Sequence, residues 1–216
     1  EDFYATDKAG GGYLDSYIKS HSPRCKWMVE RFGLDKIKNS RVLGIGEGVG
    51  MNFQYIDQTN YLVGIDGAII PKEAKLCPFL NLRADFNRPD FGILFDNEEK
   101  FDYLVAAEVL EHISAIDNVL LGMKQLLKIN GKALFTIPDM SVTHPVAFPG
   151  LFYPYQNFQI FIEQYAWIVE EHDVYTVNWP SHGFIVRNAP MIEQRPMFPK
   201  QEQKFWGQNP ITWANL

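Results

Sequence analysis

The sequence predicts a doubly wound α/β fold. A mostly parallel seven-stranded sheet is covered by helices on both faces and completed by an antiparallel C-terminal strand. Three observations carry this. Short apolar runs alternate with amphipathic stretches over most of the 216 residues, the pattern of parallel strands joined by crossover helices. A glycine-rich turn at 44–50 follows directly on the first such run. The last two runs are separated only by "PSH" (180–182), too little chain for a crossover, so they pair antiparallel.

The elements follow in order. Residues 1–20 carry Gly10, Gly11 and Gly12, then Leu14, Tyr17 and Ile18 at helical spacing. Ser22-Pro23 reads as the N-cap and first position of a second helix, which runs to about Phe32 and stops at Gly33. "RVLGI" (41–45) is the first strand, and "VGMNFQYI" starts a helix. "YLVGID" (61–66), "LNLRAD" (80–85) and "FDYLVAAEVL" (101–110) supply three more strands. Ser114 caps a helix with Ile116, Val119, Leu120, Met123, Leu126 and Leu127 on one face. "ING" ends it, and "KALFTIP" (132–138) is the fifth strand. Residues 139–155, rich in proline and aromatics, read as a loop; Phe158, Phe161, Ile162, Tyr165, Ile168 and Val169 mark another helix. "DVYTVNW" and "GFIVRN" form the closing pair. One domain is expected: 1–40 a helical cap, 41–188 the core, 189–216 a tail.

Composition bounds the function. With 46% hydrophobic and 21% charged residues a sizeable core is available. A net charge of -6 counts against a sequence-independent grip on nucleic acid. Two cysteines, Cys25 and Cys77, are too few for a disulfide scaffold and suggest buried, reduced thiols. No apolar run approaches the ~20 residues that cross a bilayer, and no charged-then-apolar segment opens the chain. These features suggest a cytoplasmic enzyme or binding protein with no membrane partner.

"GIGEGVG" is the most informative stretch. A phosphate-cradling loop needs a Gly-Lys-Ser/Thr end, and no Lys follows. The dinucleotide fingerprint needs glycines at positions one, three and six; the sixth is Val49 counted from Gly44 and Met51 counted from Gly46. That reading, a nicotinamide enzyme, is weakened and stays open. The bare main chain at these glycines suggests close approach of a ligand.

"VLGIGEGVG" resembles the first motif, V-L-D/E-x-G-x-G-x-G, of the class I S-adenosylmethionine-dependent methyltransferases. It departs at Gly44, where the family has an acidic residue that helps hold the cofactor's amino group; Glu47 stands in the same loop as a substitute. The resemblance continues downstream. Asp66, before Gly67, ends the second strand, where a carboxylate accepts both ribose hydroxyls. Asp85 and Phe86 lie where the family contacts adenine, although an Asx-turn at "DFN" would explain Asp85 structurally. "FDYLVAAEVLEHI" and "LLKINGKALFTIP" are similar to later family segments, so the likeness spans about 41–138.

The resemblance implies a Rossmann-like fold, S-adenosyl-L-methionine as cofactor, S-adenosyl-L-homocysteine as product, and contacts from Gly44, Gly46, Glu47, Gly48, Gly50, Asp66, Gly67, Asp85, Phe86 and Glu108. Candidates for catalysis are His112, His144 and Glu108, with Glu111 as a further carboxylate; a hydroxyl acceptor needs a base, and histidine is neutral near pH 7. Glu108, Glu111, His112 and His144 also resemble the metal site of small-RNA 2′-O-methyltransferases. Phe148, Phe152, Tyr153, Tyr155 and Phe158 either line an acceptor pocket or form a satellite core. His182 is expected to face solvent. The helix bearing Tyr13 and Tyr17 is expected to close over the cofactor. The leading expectation is methyl transfer to oxygen or nitrogen of a small molecule. A metal-assisted RNA enzyme and a catalytically silent cofactor-binding relative are the alternatives.

Overall fold

The computed structural model describes residues 13–86, 88, 99–139, 149–178 and 180–190. Among them a single seven-stranded sheet has the order β3-β2-β1-β4-β5-β7-β6. The strands are β1 (Arg41–Ile45), β2 (Tyr61–Asp66), β3 (Leu80–Arg83), β4 (Phe101–Ala107), β5 (Leu127–Pro138), β6 (Trp167–Tyr175) and β7 (Ser181–Asn188). β1 to β5 pair parallel, while β7 runs antiparallel to both β5 and β6. The helices are α1 (Tyr13–Arg31), α2 (Ile116–Leu126), α3 (Pro149–Phe152) and α4 (Tyr155–Gln164).

Alternation along the strands builds two cores, one on each face of the sheet. Leu43, Ile45 and Leu104 point to the face covered by α2 and α4, with Val119, Phe158 and Trp167. Val42, Leu62 and Val105 point to the other face and meet Met28 and Val29 of α1. α1 sits close to β7 because Gly183 has no side chain: a Cβ there would lie 2.6 Å from Phe32 Cε2 and 2.7 Å from Met28 Sδ.

Several local expectations change. α1 is one helix that runs through Pro23. The proline removes the N–H that would bond the Lys19 carbonyl, at a cost of ~3 kcal/mol; complete burial of Met28 and Val29 in the core offsets it. After the glycine loop the chain forms only a 3-10 turn, Phe53–Tyr55. Between β1, which ends at Ile45, and β2, which starts at Tyr61, the chain otherwise runs through turns. The N-cap of α2 is Ala115, not Ser114. "ING" lies inside β5: pairing jumps from Phe101↔Leu127 to Tyr103↔Lys132, and Asn130 takes a left-handed φ of 64° where the extra residues bulge out. α4 stops at Gln164 because Ala166 turns left-handed (φ 56°), so Ile168 and Val169 belong to β6. Within the expected loop 139–155, Pro149–Phe152 is helical.

Candidate active site

In an open α/β sheet the ligand crevice lies beyond the carboxyl ends of the strands, where the strand order reverses. Here that place is between β1 and β4. The chain moves from β1 outward to β2 and β3, then returns to the other side of β1. Ile45 is in register with Ala106, so the loops after β1 and β4 face each other.

The loop after β1 is shaped by its glycines. Gly46, Gly48 and Gly50 have φ of 65°, 58° and 93°, a region that a side chain disfavours. The Gly46 N–H donates to the Ile65 carbonyl at 2.8 Å. A Cβ on Gly46 would lie 2.4 Å from Val109 Cγ2. The bare main chain at 46 is therefore required by the protein's own β4 exit.

Gly44 has an equally specific cause. A Cβ there would lie 2.7 Å from Phe53 Cζ and 3.1 Å from Glu47 Oε2. Glu47 thus places its carboxyl beside the position from which the family's acidic side chain would project. It is 3% exposed. Its Oε1 accepts the N–H of Asn52 at 2.6 Å and of Phe53 at 3.0 Å, and its Oε2 accepts Asn52 Nδ2 at 3.2 Å. Burial pushes this carboxyl up to about 7, against the pull of those hydrogen bonds. Glu47 holds the 3-10 turn against the glycine loop.

Asp66 ends β2 and is tied to the same loop. Its Oδ2 accepts the Gly48 N–H at 3.1 Å, and its Oδ1 accepts the Ala68 N–H at 3.2 Å. Burial raises the carboxyl above the ordinary aspartate value, opposed by the N–H groups of Ala68, Gly48 and Gly67. A Cβ on Gly67 would meet nothing within 4 Å, so the surface there is open. The Ala84 N–H donates to the Asp66 carbonyl at 2.9 Å, which brings Asp85 and Phe86 alongside. Asp85 is exposed and Phe86 is half-buried against the core.

Opposite, Glu108 follows β4 with a left-handed φ of 53°, a conformation costing of order 1–3 kcal/mol for a residue with a side chain. Thr136 holds it there. The Glu108 N–H lies 3.1 Å from the Thr136 carbonyl, and the Thr136 hydroxyl donates to Glu108 Oε1 at 2.9 Å. Glu108 Oε2 pairs with Arg24 Nη1 at 3.3 Å. Arg24, 8% exposed, also reaches Ser181 Oγ at 3.5 Å.

A cavity of about 200 Å³ lies between α1, the glycine loop and the end of β4; Asp66, Asp85 and Phe86 are not part of its lining. Gly46, Glu47, Gly48 and Glu108 line it, and α1 adds Tyr17, His21 and Arg24. Sequence reasoning missed His21, Arg24, Asn52, Thr136 and Ser181. The one available signal was the spacing of Tyr17, His21 and Arg24 (i, i+4, i+7), which puts them on one stripe of a helix.

His112 lies two turns of chain beyond, in the 3-10 segment Leu110–His112. Its Nε2 is 3.6 Å from Oε1 of the fully buried Glu111. His144 and Phe148 lie outside the described residues. Among the described residues no three His, Cys, Asp or Glu side chains converge as metal ligands. Phe152 and Phe158 are core residues, stacked at 5.4 Å between ring centroids; Tyr153 is exposed. Tyr155 stacks on His172 and His182, so His182 is a half-buried residue of β7 rather than part of a solvent-facing turn. Cys25 is buried and Cys77 half-buried, and burial pushes their thiols up to about 12 and about 11.

The sheet order and the loop–aspartate pairing define a class I methyltransferase fold. It is shared with an S-adenosylmethionine-dependent methyltransferase from Aquifex aeolicus (TM-score 0.57, 16% identity, 81% of this chain and 98% of that chain). The N-methyltransferase NodS from Bradyrhizobium japonicum is similar (0.54, 16%, 80% and 98%). So is Burkholderia thailandensis 1,6-didemethyltoxoflavin-N1-methyltransferase, solved with bound 1,6-didemethyltoxoflavin and S-adenosylhomocysteine (0.59, 13%, 87% and 86%). No curated protein sequence matches this one. Residues 18–178 match the Methyltransferase domain family, and the chain belongs to it. No helix among the described residues is long and apolar enough to cross a membrane.

Proposed function

We propose that this protein is a cytoplasmic enzyme that methylates an oxygen or nitrogen of a small-molecule acceptor and releases S-adenosyl-L-homocysteine. The observation that carries the reading is the confined cleft at the β1/β4 switch point, walled by the glycine loop, Glu108 and α1. A cleft closed on its third side by a helix suits a small acceptor. The net charge of -6 supplies no electrostatic attraction for RNA. The Burkholderia thailandensis methyltransferase of the same fold is bound to 1,6-didemethyltoxoflavin.

The cofactor, when bound, supplies an activated methyl group on a sulfonium. In this proposal Asp66 and Gly67 take the ribose hydroxyls, and Asp85 with Phe86 takes the adenine. The main chain of Gly46, Gly48 and Gly50 supports the methionine part. Glu47 acts through the loop it fixes, and Gly44 leaves room for it. Glu108, paired with Arg24 and Thr136, sets a negative charge beside the sulfonium. His112, on the segment that follows β4 and Glu108, is assigned as the base for a hydroxyl acceptor. Alignment of acceptor and methyl in a dry cleft supplies most of the rate, a contribution of ~7–11 kcal/mol in well-oriented systems.

The test is S-adenosyl-L-homocysteine release across a panel of small hydroxyl and amine compounds, with RNA alongside. Turnover with at least one small compound, reduced in His112→Asn, supports the reading. Methylation of RNA alone would overturn the acceptor class. Cofactor binding with no turnover on any acceptor would leave a silent relative.

A further inference from the structure

Arg24 and Asn52 raise a question that the methyl-transfer chemistry leaves unanswered. Arg24 is a buried guanidinium on α1, and burial of a cation is costly unless it is well paired. Among the described residues its oxygen acceptors, Glu108 Oε2 at 3.3 Å and Ser181 Oγ at 3.5 Å, are both long and both fall on Nη1, and the Cys25 thiol is a further weak partner. A guanidinium has five N–H donors in a planar fork matched to a carboxylate, more than these contacts use. Asn52 lies across the same cavity. It is 4% exposed, its Nδ2 donates to Glu47 Oε2 at 3.2 Å, and its Oδ1 is buried without a hydrogen-bond partner among the described residues. A buried acceptor left unsatisfied costs free energy that a ligand donor would recover.

One cavity thus offers a donor-rich cation and an orphaned acceptor. A zwitterionic α-amino acid presents the complement, a carboxylate and an ammonium on one carbon. Glu47 fixes the Asn52 amide, and α1 carries Arg24 into the cleft. We propose that Arg24 and Asn52 form a clamp for the amino-acid end of the cofactor, Arg24 taking the carboxylate and Asn52 Oδ1 the ammonium. This rests on the cofactor reading above. It also accounts for Gly44: the acceptor role has moved from the strand to the turn that Glu47 organises.

Equilibrium binding of three probes tests it by calorimetry: S-adenosyl-L-homocysteine, decarboxylated S-adenosylmethionine and 5′-methylthioadenosine, which lacks the amino-acid end. In Arg24→Met, affinity for S-adenosyl-L-homocysteine is expected to fall roughly tenfold to hundredfold, the range for a charge-assisted hydrogen bond. Binding of decarboxylated S-adenosylmethionine and 5′-methylthioadenosine is expected to stay within about threefold of wild type. Asn52→Ala is expected to weaken the first two probes and spare 5′-methylthioadenosine. Equal losses for all three probes in Arg24→Met, not restored by Arg24→Lys, would overturn the clamp, as would no loss at all. Failure of the wild-type protein to bind any of the three would instead overturn the cofactor reading, and the clamp with it.

Discussion

Glu47→Gln is expected to remove a pH dependence from folding. In the unfolded chain this carboxyl titrates near its ordinary 4.5; burial in the fold pushes it up to about 7. The native state therefore holds the proton more tightly than the unfolded state. Between pH 4.5 and about 7 the native chain carries the extra proton, so stability falls as pH rises through that window and is flat on either side. At ~1.4 kcal/mol per pH unit, the window is worth roughly 3 kcal/mol. Glutamine keeps an oxygen for the N–H groups of Asn52 and Phe53, and the Asn52 amide can turn its oxygen toward the new NH₂. Urea denaturation of both proteins from pH 4.5 to pH 8 reads the effect. The variant is expected to gain roughly 3 kcal/mol on wild type across the range, while groups present in both cancel. Parallel stability curves would refute the reasoning.

Three further outcomes follow from the same geometry. Gly46→Ala sets a Cβ 2.4 Å from Val109 at a φ of 65° and is expected to cost roughly 2 kcal/mol or more, read as a lowered urea midpoint with weakened cofactor binding. Because burial raises Asp66, protonation removes its ribose-binding charge at a higher pH than for an ordinary aspartate. Affinity for S-adenosyl-L-homocysteine measured by calorimetry is expected to fall on acidification, and Asp66→Asn to be weak throughout. Glu108→Gln is expected to weaken S-adenosyl-L-methionine more than S-adenosyl-L-homocysteine, since only the former carries the sulfonium; equal weakening would place Glu108 away from the sulfur.

β1 at 41–45 and β2 at 61–66 were legible because each is a short apolar run followed by turn residues, and both occur as expected. Helical spacing was less reliable where crossover length or a single left-handed residue intervened. In the β1–β2 connection Glu47 ties the chain into a turn through the N–H groups of Asn52 and Phe53, and Ala166 moves Ile168 and Val169 from helix to strand. In the site, what lies within one continuous motif was visible: the glycine loop and Asp66 are linked by a hydrogen bond. What is assembled by packing was not. Arg24 stands 84 residues from Glu108 and 157 from Ser181, and no local pattern announces either contact. The partners of Glu47 lie five and six residues on, but only the turn that replaces the expected helix brings them to it.

The most direct measurement of the central claim is a crystal structure with S-adenosyl-L-homocysteine. The account requires the ribose hydroxyls on the Asp66 carboxylate and the thioether between the glycine loop and Glu108. A nucleoside bound at another edge of the sheet, with the Asp66 carboxylate still turned to the N–H groups of Gly48 and Ala68 and touching no ribose, would contradict it.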